Sequence, residues 1–156
     1  MTSLAEIFFS YAHEDEELMN SARRQMVIYE RNGVFIKWHD RQIPPGDSWR
    51  AQIDHRIHAA SIILLFFSPH FIESRYCYEV EGNIALKRAR EQTAVVVPII
   101  LRPCPWQETP FAELQALPKD GRPVSQWPDR DQVCLEIAQS IAQRATDLTI
   151  GRHGAV

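Results

Sequence analysis

The chain has 156 residues, 45% of them hydrophobic and 24% charged, with a formal net charge of -3, which is enough to bury one core without a disulfide or structural metal. Its lysines and arginines are scattered rather than blocked, which disfavours direct nucleic-acid binding, and its longest apolar run, Ile62 to Phe67, is far too short to cross a membrane. Cys77, Cys104 and Cys134 are widely spaced, with no CxxC pair and no histidine at ligand spacing, so neither a disulfide framework nor a zinc site is expected. The N-terminal apolar stretch Ile7 to Phe9 leads directly into His13 to Glu17, which is no signal peptide; the expected compartment is the reducing cytoplasm.

In chain order, strand character falls at Glu6 to Ser10, Val34 to Trp38, Ile62 to Phe67 and Ala94 to Leu101, with a weaker candidate at Pro123 to Trp127. SIILLFF and AVVVPII are continuously apolar, the pattern of strands covered on both faces. Helical spacing covers Glu16 to Arg31, Ser48 to Ala60, Ser74 to Arg90 and Asp129 to Arg144. This alternation predicts an α/β fold, a flavodoxin-like five-stranded parallel sheet with helices on both faces. Ligands of such folds bind beyond the carboxyl ends of the strands. Pro98 within the fourth strand predicts an irregularity there, and five prolines between Arg102 and Val124 predict loop with a helical turn or two near Phe111 to Leu117. The expected domain is 1–145, with 146–156 read as a tail or the start of a linker.

Three segments carry chemistry-bearing residues. Ser10 and Tyr11 end the first strand and would face the cleft, although helix capping is the ordinary use of Ser10 and Asp15. The loop Trp38 to Trp49 joins a Pro44-Pro45-Gly46 turn to two tryptophans and Arg41, which suits a nucleotide base or a protein partner, or a turn of purely structural use. On the third helix, about 100° per residue places Cys77, Val80 and Ile84 in one apolar stripe, with Glu81 inside it, Glu79 nearly opposite and Leu86 on the polar side. An inward carboxylate either pairs with a cation such as Arg88 or opens into a pocket.

The remaining motifs exclude more than they offer. His55 and His58 have no evident third metal ligand, and no GxSxG, P-loop or GxGxxG is present. Arg102-Pro103-Cys104-Pro105-Trp106 follows the fourth strand and could reach the same cleft; Cys104 has no nameable activating base and reads as structural.

Taken in order, IFFSYAHED (7–15), WHDRQIPPGDSW (38–49), SPHFIESRYCYEVE (68–81), and PIILRPCPW followed by TPFAELQALPKDGRPVSQW resemble a Toll/interleukin-receptor (TIR) domain of bacterial type, over roughly Ala5 to Gln143. The resemblance implies a five-stranded parallel sheet and a family divided between NAD+-cleaving enzymes and scaffolds that assemble through TIR–TIR contacts. It implies a catalytic glutamate early in the third helix, assigned to Glu81 with Glu79 as the alternative register; Tyr76 and Cys77 stand where the family often has tryptophan. It further implies that Phe9, Ser10, Asp40, Arg41, Trp49 and Cys77 line the dinucleotide pocket, with Arg41 on phosphate and an aromatic stacked on a base.

The implied activity is an NAD+ glycohydrolase or cyclase that uses NAD+ as substrate, with no cofactor and no metal. The implied setting is bacterial defence signalling, where self-association with other TIR domains, beside a fused or separate sensor module, switches the enzyme on. The alternative is a non-enzymatic TIR interaction module whose contact surface is the proline-rich loop at 43–46.

Overall fold

A computed structural model describes residues 4–38 and 49–154, with the backbone alone for 49–52 and 150–154. Strands β1 (Ala5–Ser10), β2 (Phe35–Trp38), β3 (Ile62–Phe67) and β4 (Val95–Ile100) form a parallel sheet in the order β2-β1-β3-β4. Helices α1 (Glu16–Arg31) and α5 (Arg130–Gly154) cover one face, and α2 (Trp49–Ala59) and α4 (Gly82–Arg90) cover the other. The short helix α3 (Pro69–Glu73) follows β3 directly, with the Ser68 hydroxyl accepting the Phe71 N–H as its cap.

β3 shows why a continuously apolar run becomes a central strand. Its six side chains are all buried, with Ile62, Leu64 and Phe66 in the α1/α5 core and Ile63, Leu65 and Phe67 in the α2/α4 core. Each such side chain contributes about 1.5–3 kcal/mol of transfer free energy, so a residue-by-residue alternation between two covered faces uses every position of the run. β1 alternates in the same way: Ile7 and Phe9 face α1 and α5, while Phe8 faces α2. That parity sends Ser10 to the α2/α4 side.

α1 lays Leu18, Met19, Ala22 and Met26 on the sheet at helical spacing and ends at Gly33, whose φ of +74° lets the chain turn back into β2. On β2, Lys37 is buried against α1 and its Nζ lies 2.5 Å from Glu30 Oε1.

Four expectations change. Pro123 to Trp127 forms no strand: Val124–Gln126 is a single 3-10 turn. The position beside β4 is held by Leu117, whose N–H donates to Pro98 O and whose carbonyl accepts from Ile100 N–H. Among the described residues the sheet therefore has four strands, and Pro118 ends the pairing of Leu117 at one bridge. Pro98 causes no break, because alternate residues point their polar groups to opposite edges and its missing N–H falls on the Leu117 side; β3 and β4 stay in register from Ile62↔Val95 to Phe67↔Ile100.

The third helix is not uniformly α. Residues Arg75–Glu81 are π-helical, and the Gly82 N–H donates to Cys77 O across five residues. The extra residue advances the helix phase, so the buried stripe runs Cys77, Glu81, Gly82, Ala85, Leu86, while Val80 is exposed. Leu86 is thus a core residue and Val80 a surface one, the reverse of the uniform-wheel expectation. Finally, 146–154 continues α5 as helix, with Ala145 buried and Leu148 packed against the core.

Candidate functional site

The crossovers of the sheet diverge between β1 and β3: the chain leaving β1 enters α1 on one face, and the chain leaving β3 enters the helices of the other. The carboxyl ends of these two neighbouring strands bound the crevice where doubly wound folds bind ligands. Ser10 closes β1 at that crevice, and its Oγ donates a 2.6 Å hydrogen bond to Glu81 Oε1. Both residues are buried, at 1% and 4% exposure.

Local structure fixes Glu81 there. Ser74 Oγ accepts the Cys77 N–H at 3.1 Å and starts the π-helical turn, and Cys77 Sγ donates to Tyr11 O at 3.4 Å, tying that turn to the end of β1. Behind it, Gly82 lets Phe111 approach: a Cβ at this position would sit 3.1 Å from Phe111 Cζ and 3.3 Å from Cys77 O. Phe111 itself packs against Phe67 and Tyr78, so the segment carrying Glu81 is wedged between β1 and an aromatic cluster.

The two glutamates of this segment occupy different environments. Glu79 is 61% exposed and its Oε2 lies 3.3 Å from Arg75 Nε on the surface. Arg88, the cation within helical reach of Glu81, turns elsewhere: it donates to Ile57 O at 2.8 Å, Ala60 O at 2.7 Å, and the Thr93 hydroxyl and carbonyl, closing the carboxyl end of α2.

A second polar cluster spans the crevice. The Asp15 carboxylate is fully buried; one oxygen accepts the Ser68 hydroxyl and the other accepts Arg102 Nε–H at 2.8 Å. Asp15 makes no side-chain cap to α1, so the ordinary capping use does not apply. This cluster joins the segments that follow β1, β3 and β4, and of its members the sequence alone places only Arg102 within reach of the cleft.

A family model described as TIR domain matches residues 7–144. The chain belongs to the TIR domain family. Among curated proteins, this TIR domain is 43% identical over 143 residues to an uncharacterized protein of Sinorhizobium fredii, y4lF, covering 92% of this chain and 44% of that one. It is 30% identical over 100 residues to the 2' cyclic ADP-D-ribose synthase BtTIR of Bacteroides thetaiotaomicron, covering 63% of this chain and 33% of that one. The chain thus spans less than half the length of either relative. Among solved structures, the TIR domain of the Toll-related receptor TRR-2 from Hydra magnipapillata matches with a TM-score of 0.54 and 25% identity, over 76% of this chain and 89% of that one.

Of the residues expected to line a dinucleotide pocket, the structure brings Ser10, Glu81 and Cys77 together. Phe9 is corrected: its ring is buried on the opposite face of the sheet, stacked on Phe66 at 5.5 Å, because side chains of successive strand residues alternate. Asp40 and Arg41 lie outside the described residues, as does the proline-rich loop 43–46, and Trp49 is described only as the first residue of α2. At the start of that loop, Trp38 carries the Arg56 guanidinium 3.4 Å over its ring.

Burial pushes the Cys104 thiol up from its ordinary range, and pushes Cys134 up to about 11, so both are poor nucleophiles near neutral pH. Among the described residues there is no cluster of three metal-ligating side chains and no helix long and apolar enough to cross a membrane.

Proposed function

We propose that this TIR domain cleaves NAD+ at the nicotinamide glycosidic bond, with Glu81 as the catalytic carboxylate. The observation carrying this reading is the buried Ser10–Glu81 pair at the carboxyl end of the sheet. The Bacteroides relative's name, a synthase of a cyclic ADP-ribose, supports the same chemistry. Arg88 is not the partner of this carboxylate, since its donors go to the end of α2 and to Thr93.

The chemistry asks little of the protein beyond placement and charge. When the bond between ribose C1′ and the nicotinamide nitrogen breaks, its electron pair stays with nitrogen and neutralises the pyridinium, so the leaving group needs no acid. Positive charge develops on the ribose as an oxocarbenium-like centre, and a fixed carboxylate beside it is worth more in the transition state than in the ground state. Ser10 holds one oxygen of Glu81 by its hydroxyl proton and so fixes the direction in which the carboxylate acts. Water captures the cation to give ADP-ribose, or a hydroxyl of the same molecule captures it to give a cyclic isomer; either route releases one proton. Glu81 and Cys77, with Ser10, bound this position, and Asp40, Arg41 and Trp49 complete it around the dinucleotide in the proposal.

The same proposal makes the domain a cytoplasmic effector of bacterial defence signalling, joined to or recruited by a sensor and activated by self-association. The test is nicotinamide release from NAD+ by concentrated or tethered protein, for wild type, Glu81→Ala and Glu79→Ala. Loss in Glu81→Ala with activity kept in Glu79→Ala is expected. Activity that survives Glu81→Ala and disappears in Glu79→Ala overturns the residue assignment, and no release by assembled wild type overturns the enzyme reading in favour of an interaction module.

A further inference from the structure

Arg102 leaves the end of β4 with its backbone fixed, since the N–H groups of Leu101 and Arg102 both point to Phe67 O. Its guanidinium touches Asp15 through Nε alone. An arginine that serves only as counter-ion to a carboxylate gains most from a two-pronged contact. Here the second oxygen of Asp15 accepts the Ser68 hydroxyl, and Arg102 makes no hydrogen bond to it.

The terminal Nη groups make no hydrogen bond among the described residues, and the side chain is 40% exposed while its anchor is fully buried. Glu14, next to Asp15 in the chain, faces His70 at 3.6 Å. Arg102 is therefore a planar cation with a locked stem and an open fork, at the carboxyl end of the sheet. Ser10 is level with Pro98 two inter-strand spacings away, and Arg102 follows β4 four residues beyond Pro98, so the two backbones are roughly 16 Å apart, a gap that the long Arg102 side chain and a dinucleotide can share.

We propose that Arg102 is an anion-binding residue of the site, oriented by Asp15, and that its open fork takes the pyrophosphate of the dinucleotide. This rests on the NAD+ reading: Glu81 takes the reacting ribose, and the phosphates attached to that ribose extend toward β4. Preorganisation is what Asp15 supplies, because a guanidinium already held in one orientation loses little freedom when it binds.

Arg102→Lys separates this role from a purely structural one. A lysine can still neutralise Asp15 with its single ammonium, yet it has no second edge to offer. The measurement is calorimetric titration of ADP-ribose, and separately of inorganic pyrophosphate, into concentrated wild type and Arg102→Lys, with thermal unfolding of both. The expected result is a melting temperature close to wild type and ADP-ribose binding weakened about tenfold or more.

The double variant Asp15→Asn, Arg102→Gln, which leaves no unpaired buried charge, is expected to fold and to show the same loss. Equal ADP-ribose affinity in wild type and Arg102→Lys overturns the proposal, as does absence of binding by wild type. Arg102-dependent binding of pyrophosphate without binding of ADP-ribose overturns the dinucleotide assignment. Arg102-dependent binding of ADP-ribose by a protein that releases no nicotinamide sinks the enzyme reading and leaves the anion site standing.

Discussion

Ser10 and Glu81 are 71 residues apart in sequence and 2.6 Å apart in space, one ending a strand and the other ending a π-helical turn. The contact exists because three separate local structures converge: the parity of β1 turns Ser10 toward α4, Ser74 starts the turn, and Gly82 lets the turn lie against Phe111. The glutamate is the end product of that convergence.

Removing the hydroxyl tests whether its hydrogen bond directs the carboxylate. Ser10→Ala takes one donor from a buried acceptor, so a stability loss of about 1 kcal/mol is expected. In the NAD+ reading, turnover falls about tenfold with KM little changed, because the bond holds in place the carboxylate that faces the charge developing on the ribose in the transition state. Ser10→Thr keeps the hydroxyl and is expected to restore much of the turnover. Steady-state nicotinamide release and urea unfolding of the three proteins check both parts. A rise in KM alone would make Ser10 a substrate contact instead.

Gly82 is the position where the site is sensitive to a single methyl. A Cβ 3.1 Å from Phe111 Cζ requires the ring or the helix to move, and Cys77 O at 3.3 Å blocks the other side. Gly82→Ala should therefore cost about 1–3 kcal/mol despite alanine's better helix propensity. Phe111→Leu in the alanine background is expected to recover part of that loss, since it makes room at the ring tip. A double-mutant cycle by urea unfolding measures the coupling; additive effects would show that the two positions do not crowd one another.

Arg88 supplies a control for the electrostatics of Glu81. Its four hydrogen bonds close the carboxyl end of α2 at Ile57 and Ala60 and brace Thr93. Arg88→Met keeps much of the aliphatic stem and is expected to lower stability by about 1–3 kcal/mol through carbonyls left without these donors. Nicotinamide release per folded molecule should not change. A changed rate at full folding would mean that Arg88 acts on Glu81 after all.

Much of this architecture is legible in the sequence because it follows from local rules. The run Ile62 to Phe67 reads as a doubly covered strand, and α1 matches its expected bounds at Glu16 and Arg31, where apolar spacing and a following glycine agree. Glu81 stood out as a carboxylate on an apolar helix face. The wheel that found it fails on Val80 and Leu86, because a π-helical turn adds a residue whose phase shift no α-periodicity contains. The Asp15–Ser68–Arg102 cluster was not legible, since its members lie 53 and 87 residues apart and meet only when three strand ends are side by side. The weaker fifth-strand candidate at Pro123 to Trp127 is instead a 3-10 turn at Val124–Gln126.

Cys134 gives a pH dependence whose sign can be fixed. Burial in the α1/α5 core raises its thiol from 9.0 to about 11, with Arg130 lowering it and Asp131 raising it to lesser degrees. The folded state therefore keeps its proton where the unfolded chain has lost it. Below about pH 9 both states are protonated and the thiol's contribution to stability is fully present; between about 9 and 11 the unfolded state ionises first and that contribution is lost as pH rises. Lysines and tyrosines titrate in the same window, so the informative quantity is a difference. Stability measured by urea unfolding at pH 8, 9, 10 and 11 should fall more steeply in wild type than in Cys134→Ala, with the two curves converging as pH increases. Parallel curves across that window would mean that the Cys134 thiol titrates alike in the folded and unfolded chain.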